Sequence, residues 1–122
     1  MQNSIIFSLP KSHRLHKADE FSAVIRFRCI ATGDFLQIYA KPNNTNYSRL
    51  GLIVAKKVAR RAVDRNRVKR LLREFFRVNQ HSQVTLNMDW VIRLRRPITR
   101  DNTCRLTEEA KTLMLQLQQC HE

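Results

Sequence analysis

Two glycines and three prolines in 122 residues leave little to punctuate this chain. So few breakers exclude long flexible linkers, and no phosphate cradle built on a glycine-rich loop occurs. Cysteine is scarce as well. Cys29, Cys104 and Cys120 are odd in number, far apart and never in a C-x-x-C pair. Neither a disulfide framework nor a zinc site is expected, and free thiols suit a reducing compartment. No apolar run reaches membrane-spanning length. Met1 to Pro10 is too short for a signal peptide and lacks its charged lead-in. The expected location is the cytoplasm, with no membrane partner.

Acidic residues are the other shortage. Ten Asp and Glu face 23 Lys and Arg, a formal net charge of +13. A folded domain so charged repels itself, and a polyanion relieves the repulsion. Nucleic acid is the first candidate, because basic side chains release counterions condensed on phosphates. An anionic membrane surface is the second. Few acids also means few groups to hold magnesium directly. Catalytic constellations are missing: there is no nucleophile elbow and no acidic cluster. His13 and His16 mimic a metal pair by spacing but have no evident third ligand, and His81 and His121 stand apart. No catalytic residue and no protein-held metal is expected.

What is present fits one domain, residues 1–122, with 1–13 and 118–122 loose. Hydrophobic residues make up 43%, enough for a modest core. Phe21, Val24 and Ile25 have helical spacing within 17–26. Residues 34–41 alternate, with Leu36, Ile38 and Ala40 facing one way and Phe35, Gln37 and Tyr39 the other, as in a strand. One more strand is expected near 28–33. A turn cluster follows at 42–46, and the apolar run 49–55 reads as a strand paired with 34–41. Val68, Leu71, Leu72 and Phe75 then make an apolar stripe on a helix spanning 61–77. Asn66, Lys69, Arg70, Arg73 and Arg77 make a polar one. Residues 78–88 read as loop. Trp90, Ile92 and Leu94 alternate with Val91, Arg93 and Arg95 in a further strand that Pro97 ends. Leu106, Ala110, Leu113, Met114 and Leu117 form a last helix, with Asn102 placed to cap it. The fold class is α+β, an α/β sandwich with a small, mostly antiparallel sheet of about four strands and a central basic helix.

That helix carries the main signal. Residues 56–77 hold ten basic and two acidic residues, a net of +8. A merely solvated helix would interleave the two signs. Candidate polyanion contacts are Lys56, Lys57, Arg60, Arg61, Arg65, Arg67, Lys69, Arg70 and Arg73, which offer forks and point charges to phosphate oxygens. Asn66 could orient a phosphate, a 2′-hydroxyl or a hydrated metal ion, or could be an idle surface amide. Phe21 and Tyr39 could stack unpaired bases, although spacing alone also fits Phe21 as an ordinary core aromatic.

Residues 49–77 read RLGLIVAKKVARRAVDRNRVKRLLREFFR. This string resembles the signature of the bacterial ribonuclease P protein component: a strand ending in Lys56-Lys57, then a helix with Arg65-Asn66-Arg67 and Lys69-Arg70. Leu50-Gly51-Leu52 and Arg73-Glu74 fit the same pattern. Arg14-Leu15 with Phe21 and Val24 resembles the family's first helix, and Asp89-Trp90-Val91-Ile92 its last strand. The chain departs from the family at Arg93, which intrudes in an apolar strand, and at Ile25, where relatives often carry an aromatic.

The resemblance implies a subunit of a tRNA-processing endonuclease whose catalyst is a large RNA. The complex hydrolyses precursor tRNA to remove the 5′ leader, using magnesium ions held mainly by the RNA. Implied partners are the ribonuclease P RNA and precursor tRNA, with no obligate protein partner. The family's basic helix contacts the RNA subunit, which assigns that role to Lys56, Lys57, Arg60, Arg61, Arg65, Asn66, Arg67, Lys69, Arg70 and Arg73. Its cleft between first helix and sheet binds the leader, which assigns that role to Phe21, Ile25, Phe35, Gln37 and Tyr39. The family also places its central helix in a left-handed βαβ crossover, against the usual preference. Three rival readings share the charge: a structural RNA-binding protein, a duplex-DNA reader and an anionic-membrane binder. The DNA reader lacks a turn partner for its helix. The membrane binder would need an apolar stripe that the core already uses.

Overall fold

The computed structural model describes residues 10–43, 45, 47–79 and 87–118. The chain forms α1 (Ala18–Arg26), β1 (Cys29–Thr32), β2 (Leu36–Pro42), β3 (Arg49–Ile53), α2 (Ala62–Asn79), β4 (Met88–Leu94) and α3 (Thr103–Leu117). Short 3-10 turns at Lys11–His13 and Arg100–Asn102 precede α1 and α3. The residues expected to be loose at either end lie largely outside the described ones. Residues 10–13 do not: they build the first 3-10 turn. Most of the loop expected at 78–88, and His81 and His121, also lie outside. No helix among the described residues is long and apolar enough to cross a membrane.

The sheet order is β1-β2-β4-β3, with β1/β2 and β2/β4 antiparallel and β3/β4 parallel. This is the four-stranded, mostly antiparallel sheet that the sequence predicts. The pairing of 49–53 with 34–41 is corrected: β4 lies between them. β4 is buried at every position but Arg93, which suits a central strand covered on both faces. A parallel pair cannot close through a tight turn, and α2 supplies the long crossover from β3 to β4.

Alternation along β4 sorts the two faces. Trp90, Ile92 and Leu94 pack with Leu36, Ile38 and Ala40 under α2 (Val68, Leu72, Phe76) and α3 (Leu106, Ala110, Leu113, Met114, Leu117). Val91 and Tyr39 face the other way, with Leu15 and Val24. The result is a sandwich, with two helices on one face and α1 on the other.

Local chemistry sets the ends. The Glu20 carboxylate accepts the N–H groups of His16 (2.7 Å) and Lys17 (3.0 Å), satisfying donors at the start of α1. Arg28, with φ 67°, stops that helix in the left-handed conformation usual for this position. Asn102 does occupy the N-cap of α3, but its side chain makes no capping hydrogen bond. Instead α3 is tied down by Glu109, whose Oε2 accepts from Phe35 N (2.8 Å) and Leu36 N (2.7 Å) in the β1–β2 turn. Cys104 is a free, exposed thiol, and Cys120 lies outside the described residues.

One ion pair stands out. Arg49 donates to both carboxylate oxygens of Asp89, at 2.9 and 2.7 Å, and reaches Glu20 at 3.4 Å. Asp89 is buried, and Asn43 donates to it at 2.7 Å. Arg49 and Asp89 are register partners in β3 and β4. By contrast Arg61–Asp64 and Arg77–Glu74 are i,i+3 pairs at the surface, where solvent screens the attraction and each adds little.

Asp89→Asn should therefore cost about 2–3 kcal/mol in urea unfolding. That is less than the roughly 3–5 kcal/mol for breaking a fully buried pair, because Arg49 keeps partial contact with water. Asp64→Asn should cost under about 0.5 kcal/mol; equal losses would deny Asp89 its special place. Acid behaviour gives a second check. Backbone N–H groups of Lys17 and His16, aided by Arg49, hold the Glu20 carboxyl below its usual 4.5. A depressed pKa adds stability above the unfolded value and loses it as pH falls through the folded one. Glu20→Gln should thus lower stability at neutral pH and flatten its decline below about pH 4.5, measured by urea titrations across pH.

Candidate nucleic-acid interface

The basic residues of 56–77 do not form a single stripe. Lys56 and Lys57 lie in a turn beyond the end of β3, not in the strand. That turn is closed by Val58 N and Ala59 N donating to Ala55 O, both at 3.0 Å. Arg65 secures the next segment, donating from Nη1 to Ala59 O (3.0 Å) and Arg60 O (2.9 Å). Part of its guanidinium therefore shapes the loop that presents Lys56, Lys57, Arg60 and Arg61, all of which are exposed.

Two concavities flank the helix. A cleft of about 760 Å³ is lined by Arg14, Asn66, Arg67, Arg70, Leu71, Arg73 and Glu74. A smaller one of about 400 Å³ lies between Lys57, Arg60, Asp64 and Arg67 on one side and Leu94, Pro97 and Ile98 on the other. Arg67 lines both, and its Nε is buried without a hydrogen-bond partner among the described residues. A buried donor left unmatched is costly, and an incoming acceptor would relieve that cost. Lys69 is half-buried and Arg70 exposed on the same helix.

Acids do little to neutralise these clefts. Asp64 is paired with Arg61, and Glu74 with Arg77 at 2.6 Å. Glu74's carboxyl is held below its ordinary value chiefly by that Arg77 hydrogen bond. Burial, and then the neighbouring charge of Arg14, push the Arg73 guanidinium below its ordinary value. No group of three or more His, Cys, Asp or Glu among the described residues is arranged to hold a metal ion.

The opposite face of the sheet carries a different surface. Phe21 and Ile25 of α1 are partly buried there with Ile53, around the buried Leu15, Val24, Tyr39 and Val91. Phe21 lies against Gly51, where a Cβ would come within 2.5 Å of its ring. Glycine here lets an aromatic lie flat on the backbone. Beside α1 runs a polar row across three strands: Thr32, Gln37 and Arg93 are successive register partners. Gln37 donates to Thr32 Oγ1 (3.2 Å), and its Oε1 accepts from Tyr39 (2.8 Å) and Arg93 (3.4 Å). Arg93 thus belongs to this face, with its side chain held by Gln37.

Phe21, Ile25, Gln37 and Tyr39 are therefore brought together. Phe35 is not. Residue 35 precedes β2, in the turn, so the strand's alternation does not reach it. Its ring packs in the α2/α3 core, with the Arg96 and Arg105 guanidinium carbons 6.0 and 5.4 Å from its centroid. Arg14 is the residue that sequence reasoning missed. Arg14-Leu15 enters the resemblance to the family's first helix but is given no role in the site; its pairing with the β3 edge brings it to α2.

Comparison with known proteins identifies relatives of this chain. A family model described as Ribonuclease P covers residues 9–118. The "Ribonuclease P protein component" of Nitrosomonas eutropha is 49% identical over 116 residues, 93% of this chain and 94% of that protein. The protein of the same name from Nitrosomonas europaea is 46% identical, over 88% of this chain and 89% of its own. Among solved structures, the RNase P protein of Staphylococcus aureus superposes with a TM-score of 0.64 at 29% identity, covering 88% of this chain and 87% of that one. The RNase P protein of Thermotoga maritima gives 0.66 at 23% identity, covering 89% and 98%.

The Phe21–Gly51 contact yields a direct test. Gly51→Ala should cost about 1–3 kcal/mol, because the new methyl overpacks against the ring. Adding Phe21→Leu should recover part of that loss. Urea unfolding of the two single variants and the double variant measures the coupling; strictly additive losses would mean that ring and glycine are not in contact.

Proposed function

Because the chain belongs to the ribonuclease P protein family, we propose that it is the protein subunit of ribonuclease P. In this reading it binds the catalytic RNA through α2. It holds the 5′ leader of precursor tRNA on the α1 face, and so promotes magnesium-dependent removal of that leader. The observation that carries the reading is the division of surfaces. A strongly basic helix with two acid-poor clefts covers one face of the sheet, and a partly exposed apolar cluster of Phe21 and Ile25 with a polar row lies on the other.

The two surfaces suit two kinds of RNA contact. Arg67, Arg70 and Arg73, with Lys56, Lys57, Arg60, Arg61 and Lys69, would neutralise phosphates of the structured RNA. Asn66 is exposed among them and can donate and accept. On the α1 face, Phe21 and Ile25 offer apolar edges to unpaired bases, while Gln37 and Arg93 offer polar contacts. Such a surface grips single strands with little sequence preference. Phe35 is left out of this role.

Magnesium supplies the activated water for phosphodiester hydrolysis when bound. We assign it to the RNA, because the α2 acids Asp64 and Glu74 are already engaged by arginines. The protein's part is electrostatic. Lowering the repulsion between leader, tRNA and catalytic RNA lets the three pack at lower magnesium concentrations.

The deciding experiment is cleavage of a 5′-extended precursor tRNA at low magnesium. It compares the protein alone, a bacterial ribonuclease P RNA alone, and both together. Only the mixture should cut efficiently at the mature 5′ end. A mixture no better than RNA alone, with RNA binding still tight, would leave a structural RNA-binding protein. Two variants test the division of labour. Arg67→Ala should weaken RNA-subunit binding and reduce its salt dependence by roughly one phosphate contact, about 0.7–0.9 in the log–log slope. Phe21→Ala should raise the dissociation constant for precursor tRNA several-fold and leave that for mature tRNA unchanged. Equal losses for both would indicate a folding defect.

A further inference from the structure

β3 and β4 run parallel, so both end on the same side of the sheet, and α2 begins there. In open α/β sheets, ligands bind in the crevice beyond the carboxyl ends of parallel strands. The smaller concavity described above occupies this place. Lys57 and Val58 come from the turn after β3, Arg60 and Asp64 flank the first residue of α2, and Pro97 and Ile98 follow β4. Its volume, about 400 Å³, falls within the roughly 300–1,000 Å³ usual for small-ligand sites.

The lining changes character from floor to mouth. Val68 and Leu94 are each 2% exposed, so they form a floor and not a rim. Val58 and Ile98 are half-buried and pack on the core. Lys57 and Arg60 are exposed, and they form no ion pair among the described residues. The acid present, Asp64, is held by Arg61 at 3.1 Å. Arg67 lines the concavity with an Nε that is buried and has no hydrogen-bond partner among the described residues. An apolar floor penalises a bare phosphate, which would lose its water against carbon. A basic mouth gives nothing to a neutral apolar molecule. The occupant that suits both has a flat apolar body and an anionic group, which describes a nucleotide. A base in a helix would have to be unpaired first, so the cheapest source is a single-stranded loop or bulge.

We propose that this concavity takes one unpaired nucleotide of the RNA subunit. Its base lies against Val58, Leu94 and Ile98, and its phosphate meets Lys57 and Arg60 at the mouth. An acceptor on the base edge matches Arg67 Nε. The inference rests on the ribonuclease P reading and deepens it, because contact through α2 then includes insertion of a base as well as neutralisation of phosphates. An inserted base carries sequence information, which phosphate contacts do not.

The test uses the full chain and a bacterial ribonuclease P RNA transcript, with equilibrium binding over a salt series. Val58→Ala and Ile98→Ala strip the wall and leave every charge in place. Each should raise the dissociation constant about fivefold, the scale of one base contact, with the log–log salt slope unchanged. Lys57→Gln should weaken binding and flatten that slope by about 0.7–0.9. Thermal unfolding checks that the variants fold, and methyl NMR of the unaltered chain needs no substitution at all. A base against Val58, Leu94 and Ile98 shifts their methyl signals upfield through its ring current when the RNA binds, whereas a phosphate has no ring current. Unshifted methyls, or wall variants that bind like the parent while Lys57→Gln is weakened, would overturn the base site and leave the ribonuclease P reading standing. A loss seen only when the holoenzyme binds precursor tRNA would place the leader in the concavity and overturn the assignment to the RNA subunit. No loss for Lys57→Gln or for Arg67→Ala would bring down the ribonuclease P reading as well.

Discussion

The Arg49–Asp89 pair is the constraint on which the arrangement of surfaces depends. It joins β3 to β4 at their first register position, and β3 and β4 are the strands between which α2 must cross. Through Glu20 the same guanidinium reaches the first turn of α1 on the opposite face. Through Asp89 it reaches Asn43, at the end of β2. One planar fork therefore fixes where β4 enters the sheet, how α1 lies across it, and where the basic helix begins its return. Arginine suits this task because its five donors can serve two carboxylates at once without titrating. In a chain with 23 basic and ten acidic residues, committing two acids to one arginine is a strong commitment. It keeps Glu20 and Asp89 out of the clefts, whose own acids are Glu74 and Asp64.

Much of this was legible in the sequence because the signals were periodic. The spacing of Val68, Leu71 and Leu72 predicts a helix over 61–77, and the helix runs from Ala62 to Asn79. Alternation in Trp90–Leu94 correctly sorts the two faces of β4. Strand order was not legible. Periodicity tells how a strand lies, not beside which strand, and the proximity of 34–41 and 49–55 suggests a hairpin that the sheet does not form. Phe35 failed for a related reason, since alternation was carried one residue beyond the strand into a turn.

The candidate site was partly legible, and its misses are instructive. A count of charges treats every basic residue in 56–77 alike. The structure distinguishes them. Arg65 spends hydrogen bonds on the loop backbone, Arg61 and Arg77 hold acids, and Arg67 and Arg73 turn inward to line clefts. Arg14 was given no site role for the opposite reason. It stands 52 residues before Asn66 in the sequence, and only edge pairing with Leu50 carries it to the helix.

The gathering of like charge on α2 is tolerable because the helix is anchored by more than its own propensity. Val68, Leu72 and Phe76 are fully or nearly fully buried against a sheet whose central strand holds Trp90 and Ile92. Burying three such side chains contributes several kcal/mol, at about 1.5–3 kcal/mol each. Repulsion among solvent-exposed arginines more than about 10 Å apart is largely screened at physiological salt. The balance changes where a cation is partly desolvated, as at Arg73, whose guanidinium is pushed below its ordinary value by burial. There screening is weaker and packing fixes the side-chain stems. The core thus does more than stabilise the fold. It holds positive charge in an arrangement that the free chain would not adopt, and the energy of that arrangement becomes available to whatever polyanion fits it.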